Sequence, residues 1–291
     1  MPPEHLPARD EPNAGNRDTY LFLALLLSLV AALPLLIGAG ILNTRAGGDS
    51  LFLVQRVHQL SSNLRAGIFP VRWMPDGAHG LGYPFFNFYA ALPYYFASAF
   101  DLAGAGILWG IKLTQTLGFM LAGGMMYALA RQLGTSRAAA LLGSAAYTFA
   151  PFHLVNVYVR GDALSEFYAY AFYPLILYAV GMLCRRRSAG HVALLAASYA
   201  LLVLSHNISA MIFSPLLGLW LLAQAMARPR PERWHALFLG ILALALGLVL
   251  SIWYWAPALR EQPLVQLQDQ TTGYFHFAGH FRAAADLVQR R

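Results

Sequence analysis

Apolar segments long enough to cross a bilayer recur along this chain, near 20–42, 107–130, 137–157, 166–184 and 236–256, and nothing else constrains its fold as strongly. A hydrocarbon core about 30 Å thick needs about 20 helical residues, and a helix satisfies its own backbone hydrogen bonds where no water can. Residues 191–227 are too long for one span and carry Ser205-His206-Asn207 in their middle. They read as two antiparallel helices turning at that polar tripeptide. The stretch 86–103 is apolar and aromatic, but short and interrupted around Pro84 and Pro93. With 58% hydrophobic and 11% charged residues, against about 25% charged in soluble domains, the chain reads as a multi-pass membrane protein. The net charge of +7 is dispersed, so it implies no nucleic-acid surface. The single cysteine, Cys184, excludes an internal disulfide.

Charge decides whether 86–103 crosses. Short cytoplasmic loops hold the Lys/Arg excess. If 86–103 lies at the membrane surface or re-enters, three arginine-bearing loops (Arg131–Arg137, Arg185–Arg187 and Arg228–Arg233) share a side with Arg9 and Arg17. If it crosses, the first two of those loops move outside. The first arrangement predicts an all-α integral membrane protein of about seven spans, N-terminus cytoplasmic and C-terminus extracytoplasmic. Residues 1–19 then form a short cytoplasmic disordered tail without a signal-peptide pattern. Residues 20–259 form the transmembrane module, with a large outer loop at 43–106, and 260–291 form an extracytoplasmic tail.

The outer loop is the long polar interruption. After Gly47-Gly48-Asp49, the positions Leu51, Val54, Val57, Leu60 and Leu64 predict an amphipathic helix suited to a membrane surface. Asp49 stands at its start, which fits either an N-cap or a carboxylate held at the interface. His58, nine residues further on, falls on the opposite side of such a helix.

Other polar groups emerge on the same predicted face. Asp162 and Glu166 are four apart and share a helix face. Arg160 or a divalent ion such as magnesium or manganese would relieve their repulsion, while helix capping by Asp162 is the plainer alternative. His206 and Asn207 fit a hydrogen-bonded turn, or a histidine orienting a phosphate or hydroxyl. Lys112, the one lysine of the chain, fits a snorkelling anchor or a partner for a lipid phosphate. The aromatic run Tyr83–Tyr95 fits an interfacial belt or a groove for sugars or a prenyl chain. The segment Trp253–Glu261 reaches this face too. No zinc-ligand pattern or phosphate-binding glycine loop is present.

Taken in order, GGDSLFLVQRVHQL, FPVRWMPDGAHGLGYPFFNFYAALPYYF, APFHLVNVYVRGDALSEFYAYAFYPLIL, LSHNISA and WYWAPALRE resemble the bacterial membrane proteins called 6-pyruvoyl-tetrahydropterin synthase-related. Those proteins look like members of the GT-C superfamily of polytopic glycosyltransferases. The resemblance covers nearly everything beyond residue 20. It implies a seven-span module whose first outer loop carries juxtamembrane helices and an early catalytic aspartate, here Asp49. It also implies an acidic residue of the second outer loop that binds metal or substrate (Asp162 or Glu166), and a polyprenyl-phosphate-linked sugar as donor. Arg160, Lys112, His206, Asn207 and His58 become candidates for the phosphate or substrate. The expected setting is a bacterial inner membrane, with membrane lipids as neighbours and no nucleic acid. The related proteins run longer, so the chain reads as a truncated member. A transporter or flippase for a lipid-linked substrate, or a non-catalytic scaffold, are the rival readings.

Overall fold

A computed structural model describes residues 18–40, 50–160, 163–266, 272–273 and 276–281. Among them the chain is helical, with one isolated antiparallel bridge between Met74 and Tyr83. It divides into two compact units, Met1–Ser251 and Ile252–Arg291.

The first unit holds the membrane helices. Helix α1 (Thr19–Ile37) begins at Asp18, whose carboxylate accepts from the backbone N–H groups of Tyr20 and Leu21 at 3.1 and 3.3 Å. The loop helices α2 (Ser50–Arg65), α3 (Gly77–Gly80), α4 (Phe85–Phe88) and α5 (Leu92–Phe100) follow, ending in a π-turn at Asp101–Ala105. Then come α6 (Ile107–Gln132), α7 (Arg137–Thr148) and α8 (Pro151–Leu154), with a second π-turn at Val155–Val159. Helices α9 (Leu164–Arg186), α10 (Ala189–Ser205), α11 (Asn207–Met226) and α12 (Arg230–Leu250) complete the unit.

Among the described residues, six segments are long and apolar enough to cross a membrane: Thr19–Ile37, Ile107–Gln132, Arg137–Val159, Leu164–Arg186, Asn207–Met226 and Arg230–Leu250. Helix α10 has 17 residues, about 26 Å at 1.5 Å per residue, a little under the hydrocarbon thickness. Six spanning helices are therefore present among the described residues where about seven were expected, and α10 stands in the place of the seventh as a shorter apolar helix. The long apolar region does turn at His206. In 86–103, α5 has nine residues, about 13 Å, which is too short to cross.

Helices α1 and α6 run antiparallel, whereas α6 and α9 run parallel. The Tyr127 hydroxyl donates to Asp18 at the start of α1, while Lys112, four turns earlier on α6, reaches the Gly38 carbonyl at its end. Arg185 at the end of α9 donates to the Gln132 carbonyl at the end of α6. One end of the bundle therefore gathers Gly38, Arg160, Leu164 and His206. The other gathers Asp18, Gln132, Arg187 and Glu232.

Small residues set the closest crossings, as expected where lipid offers no hydrophobic drive between helices. A Cβ on Gly123 of α6 would lie 2.0 Å from Ser28 Oγ of α1 and 2.7 Å from Thr148 Oγ1 of α7. Ser144 Oγ closes the same crossing by donating to the Gly123 carbonyl at 2.7 Å. Between α6 and α9 the rings of Phe119 and Phe167 pack 4.9 Å apart, and the Tyr168 hydroxyl donates to the Thr114 carbonyl at 2.7 Å.

The loop helix α2 corrects one expectation. The buried positions are Leu53, Val57 and Leu60 together with Gln59, Ser61 and Asn63, and Leu51 is 81% exposed. The buried face is rotated from the predicted stripe because the helix packs on protein, against α5 and the 66–83 loop. Gln59 Oε1 accepts from the backbone N–H of Asp76 at 3.0 Å and its amide donates to the Asp76 carboxylate. Asn63 Nδ2 donates to the Gln59 carbonyl at 2.8 Å. Arg65 pairs with Asp101 at 2.7 Å, fastening the end of α2 to the π-turn.

The second unit contains α13 (Ile252–Glu261), which carries the Trp253–Glu261 segment, and 3-10 turns at Gln262–Leu264 and Phe277–His280.

Candidate functional site

Three of the polar groups singled out in the sequence, Arg160, Glu166 and His206, meet at the loop end of the bundle. Pro151 breaks the α7 span, and the π-turn that follows ends in the bond from Arg160 N–H to the Val155 carbonyl at 2.8 Å. Single π-turns inside spans often mark functional positions. Here the turn brings Arg160 Nη1 to 3.0 Å from Asn156 Oδ1, and Asn156 is itself buried. The same nitrogen forms a close ion pair with Glu166 in the first turn of α9, where a carboxylate also complements the helix dipole. The Arg160 side chain is 50% exposed and that of Glu166 24%, so the pair sits at the mouth of the bundle. The sequence admitted a cation beside Glu166, and Arg160 takes that place.

His206 caps α11. Its Nδ1 accepts from the Ser209 backbone N–H at 3.3 Å and lies 2.7 Å from Ser209 Oγ. That acceptor role leaves the ring proton on Nε2 in the neutral tautomer. Burial lowers the His206 pKa; Glu166 opposes that and Arg160 adds to it, which also puts both charges within electrostatic reach of the imidazole. Asn207, the next residue, is exposed at the first position of α11.

The loop between α1 and α6 packs against this group. Ser165 Oγ of α9 donates to the Ala90 carbonyl at 3.1 Å, and the Tyr89 ring lies 6.4 Å from that of His206. Phe85 stacks on Tyr89 at 4.6 Å, and the Arg56 guanidinium of α2 lies 4.3 Å from the Phe85 centroid. Arg56 Nη1 also donates to the Tyr94 hydroxyl at 3.2 Å. Arg56, Phe85, Tyr89 and His206 thus form a strip of successive ring and guanidinium contacts, with the Glu166–Arg160 pair within electrostatic reach of its His206 end, and the residues come from four distant parts of the chain. Beside it opens a cavity of about 310 Å³ lined by Phe52, Gln55, Arg56, Met74, Tyr83 and Phe85 among others. Its walls combine aromatic faces with an amide and a guanidinium, which suits a ligand with apolar ring faces and hydroxyl or phosphate oxygens.

Asp49 and Asp162 lie outside the described residues. Asp49 directly precedes α2, whose first two turns line the cavity, and Asp162 stands in sequence between Arg160 and Glu166. Lys112 is buried; its ammonium donates to the Gly38 carbonyl at the end of α1 and sits 5.0 Å from the Trp109 centroid. It serves there as a cation at a helix C-terminus and does not join Arg160 and Glu166. His58 is exposed on α2, turned from the buried face. Among the described residues no three His, Cys, Asp or Glu side chains come together, and the Glu166 carboxylate is engaged by Arg160. Tyr89 belongs to the aromatic run Tyr83–Tyr95 read from the sequence, whereas sequence reasoning missed Arg56, since only the folded loop brings a helix-surface arginine onto that aromatic platform.

The family model described as 6-pyruvoyl-tetrahydropterin synthase related domain, membrane protein, matches residues 86–281. The chain is also similar to an uncharacterized protein of Lactococcus lactis subsp. cremoris (strain MG1363), 25% identical over 251 residues. That match covers 84% of this chain and 40% of the relative, so the chain spans less than half the relative's length. The matched region contains the Arg160–Glu166 pair, His206 and every span but the first, and the chain belongs to the 6-pyruvoyl-tetrahydropterin synthase-related family of membrane proteins.

Proposed function

We propose that this protein is a GT-C-type membrane glycosyltransferase, moving a hexosyl or pentosyl group from a polyprenyl-phosphate donor to an acceptor hydroxyl at the outer face of a bacterial inner membrane. The observation that carries the reading is the gathering of Arg160, Glu166 and His206 against the aromatic loop strip at one end of the bundle. Concentrating ionisable groups beside spans is costly unless they are used. The arginine-rich loops at the opposite end support a cytoplasmic placement for that end and for the N-terminus.

In this reaction the acceptor oxygen forms the new bond to the anomeric carbon, and the bond from that carbon to the donor's phosphate oxygen breaks. Asp49 takes the proton of the acceptor hydroxyl as general base. The departing polyprenyl phosphate gains negative charge, which Arg160 and the Nε2–H of His206 stabilise. Glu166 positions Arg160. The cavity beside α2 supplies aromatic faces for a sugar ring, with Gln55 and Arg56 facing its hydroxyl groups.

The test uses membranes bearing the full chain and a panel of radiolabelled polyprenyl-phosphate sugars, with transfer to endogenous acceptors measured. Asp49→Asn is expected to lower transfer by about 10²–10⁴-fold, the usual contribution of a positioned base, with the protein still folded and membrane-inserted. Arg160→Gln is expected to lower it as well. Transfer unchanged in both variants would refute the assignment.

A further inference from the structure

A second built crevice lies at the opposite end of the bundle, away from the strip above, and is independent of it. It runs between the first turn of α10 and one face of α12 and has a volume of about 440 Å³. Its mouth is polar, formed by Arg187, Ser188 and His235, and its depth is apolar, lined by Val192, Leu239, Leu242 and Leu246. The apolar wall is continuous because positions 235, 239, 242 and 246 fall on one face of α12 at helical spacing. From His235 to Leu246 that face runs roughly 16 Å at 1.5 Å per residue, about half the hydrocarbon thickness.

The mouth is built rather than incidental. Arg187 adopts a left-handed conformation (φ +32) that ends α9, and its Nη1 bonds to Glu232 Oε2 at 2.6 Å. That contact fixes the guanidinium at the crevice rim. Ser188 Oγ lies 2.6 Å from His191 Nδ1. Between residues 185 and 235 the chain carries Arg185, Arg186, Arg187, Arg228, Arg230 and Arg233 against the single carboxylate of Glu232. The local field is positive even with the ion pair made.

We propose that this crevice binds one anionic glycerophospholipid, its phosphate at Arg187, Ser188 and His235 and an acyl chain along Leu239, Leu242 and Leu246. The occupant follows from the shape and charge together. A soluble anion would use the mouth and leave the apolar depth unfilled. A zwitterionic lipid would fill the depth and gain less from the arginines. A basic mouth between helices is the arrangement that selects anionic headgroups.

The experiment is native mass spectrometry and thermal melting of the full chain, delipidated in mild detergent and supplied with phosphatidylglycerol, phosphatidylcholine or inorganic phosphate. Wild type is expected to retain one phosphatidylglycerol with about fivefold preference over phosphatidylcholine, the factor given by one near-surface cation, and to melt higher with it. Inorganic phosphate is expected to give no such shift. Leu242→Trp fills the crevice from its 38% exposed, lipid-facing position and should abolish retention. His235→Gln removes one hydrogen-bond partner of the phosphate and should weaken the preference, which the arginines still supply in part, while keeping the chain contact and the Arg187–Glu232 pair. Retention in Leu242→Trp equal to wild type, equal retention of the two lipids by wild type, or the full shift with inorganic phosphate alone would each overturn the proposal.

Discussion

Replacing Gly123 with alanine tests the small-residue crossing that joins α1, α6 and α7. The added Cβ would meet Ser28 Oγ at 2.0 Å and Thr148 Oγ1 at 2.7 Å, both well inside the 3.5–4.0 Å at which carbon contacts are favourable. Neither hydroxyl is at the end of a long side chain, and Ser28 is committed to the Ala24 carbonyl at 2.9 Å. The helices must therefore separate, at the cost of about 1–3 kcal/mol typical of overpacking. Gly143→Ala on α7 is the matched control, because nothing lies within 4 Å of its added Cβ. Both substitutions gain the same helix propensity of about 1 kcal/mol, so their difference isolates the clash. At about 2–4 °C per kcal/mol for a chain of this size, Gly123→Ala should melt several degrees below Gly143→Ala. The sole cysteine, Cys184, is fully buried, so a thiol-reactive fluorophore reports unfolding without added labels. Ser28→Ala removes the nearer oxygen and should restore part of the loss in the double variant. If Gly123→Ala melts together with Gly143→Ala, or if Ser28→Ala rescues nothing, the crossing is not as tight as described.

Three further outcomes are expected. The His206 pKa is lowered by burial, so the unfolded chain binds the proton first. Stability is then full above about pH 6.5, the ordinary value, and is lost as pH falls through the folded value. His206→Asn keeps a capping acceptor but does not titrate, so its melting temperature should fall less than that of wild type between pH 7.5 and 5.5; equal falls would remove His206 from the account. Gln59→Leu orphans the Asp76 backbone N–H that it now accepts from, costing about 1–3 kcal/mol; limited trypsin digestion should cut faster after Arg72, and an unchanged rate would contradict the tether. Glu166→Gln frees Arg160 to bend away from the bundle mouth. Transfer activity should fall while the melting temperature changes little, since half-exposed ion pairs contribute about 0–1 kcal/mol; a large melting loss would make the pair structural instead.

The spans were legible because a bilayer imposes one length and one composition on every crossing, and the turn at His206 because a polar tripeptide cannot sit in a continuous apolar helix. The arginine distribution was enough to keep 86–103 from being counted as a span. The face of α2 was not legible. Its stripe was read as if lipid were the partner, whereas Gln59 and Asn63 turn inward to hold the 66–83 loop, and only the fold creates that partner. The pairing of Arg160 with Glu166 was one of two options left open by spacing, and the π-turn at Val155–Val159 decides it by placing Asn156 and Arg160 together. Arg56 carried no local signal, because its aromatic platform lies some thirty residues further along the chain. Asp49 and Asp162 rest on sequence position and resemblance.

The placement of Lys112 has a practical corollary. It is the one lysine in the chain, and its ammonium is buried against the last carbonyls of α1. The folded protein therefore offers amine-directed reagents no exposed side chain of its own. A lysine introduced into any loop becomes the one exposed side-chain amine, to be read against the N-terminal amine alone. Placed in turn at the Arg131–Arg137 loop and near Tyr83, and challenged with an amine reagent that does not cross bilayers, it would report which side of the membrane each end of the bundle faces.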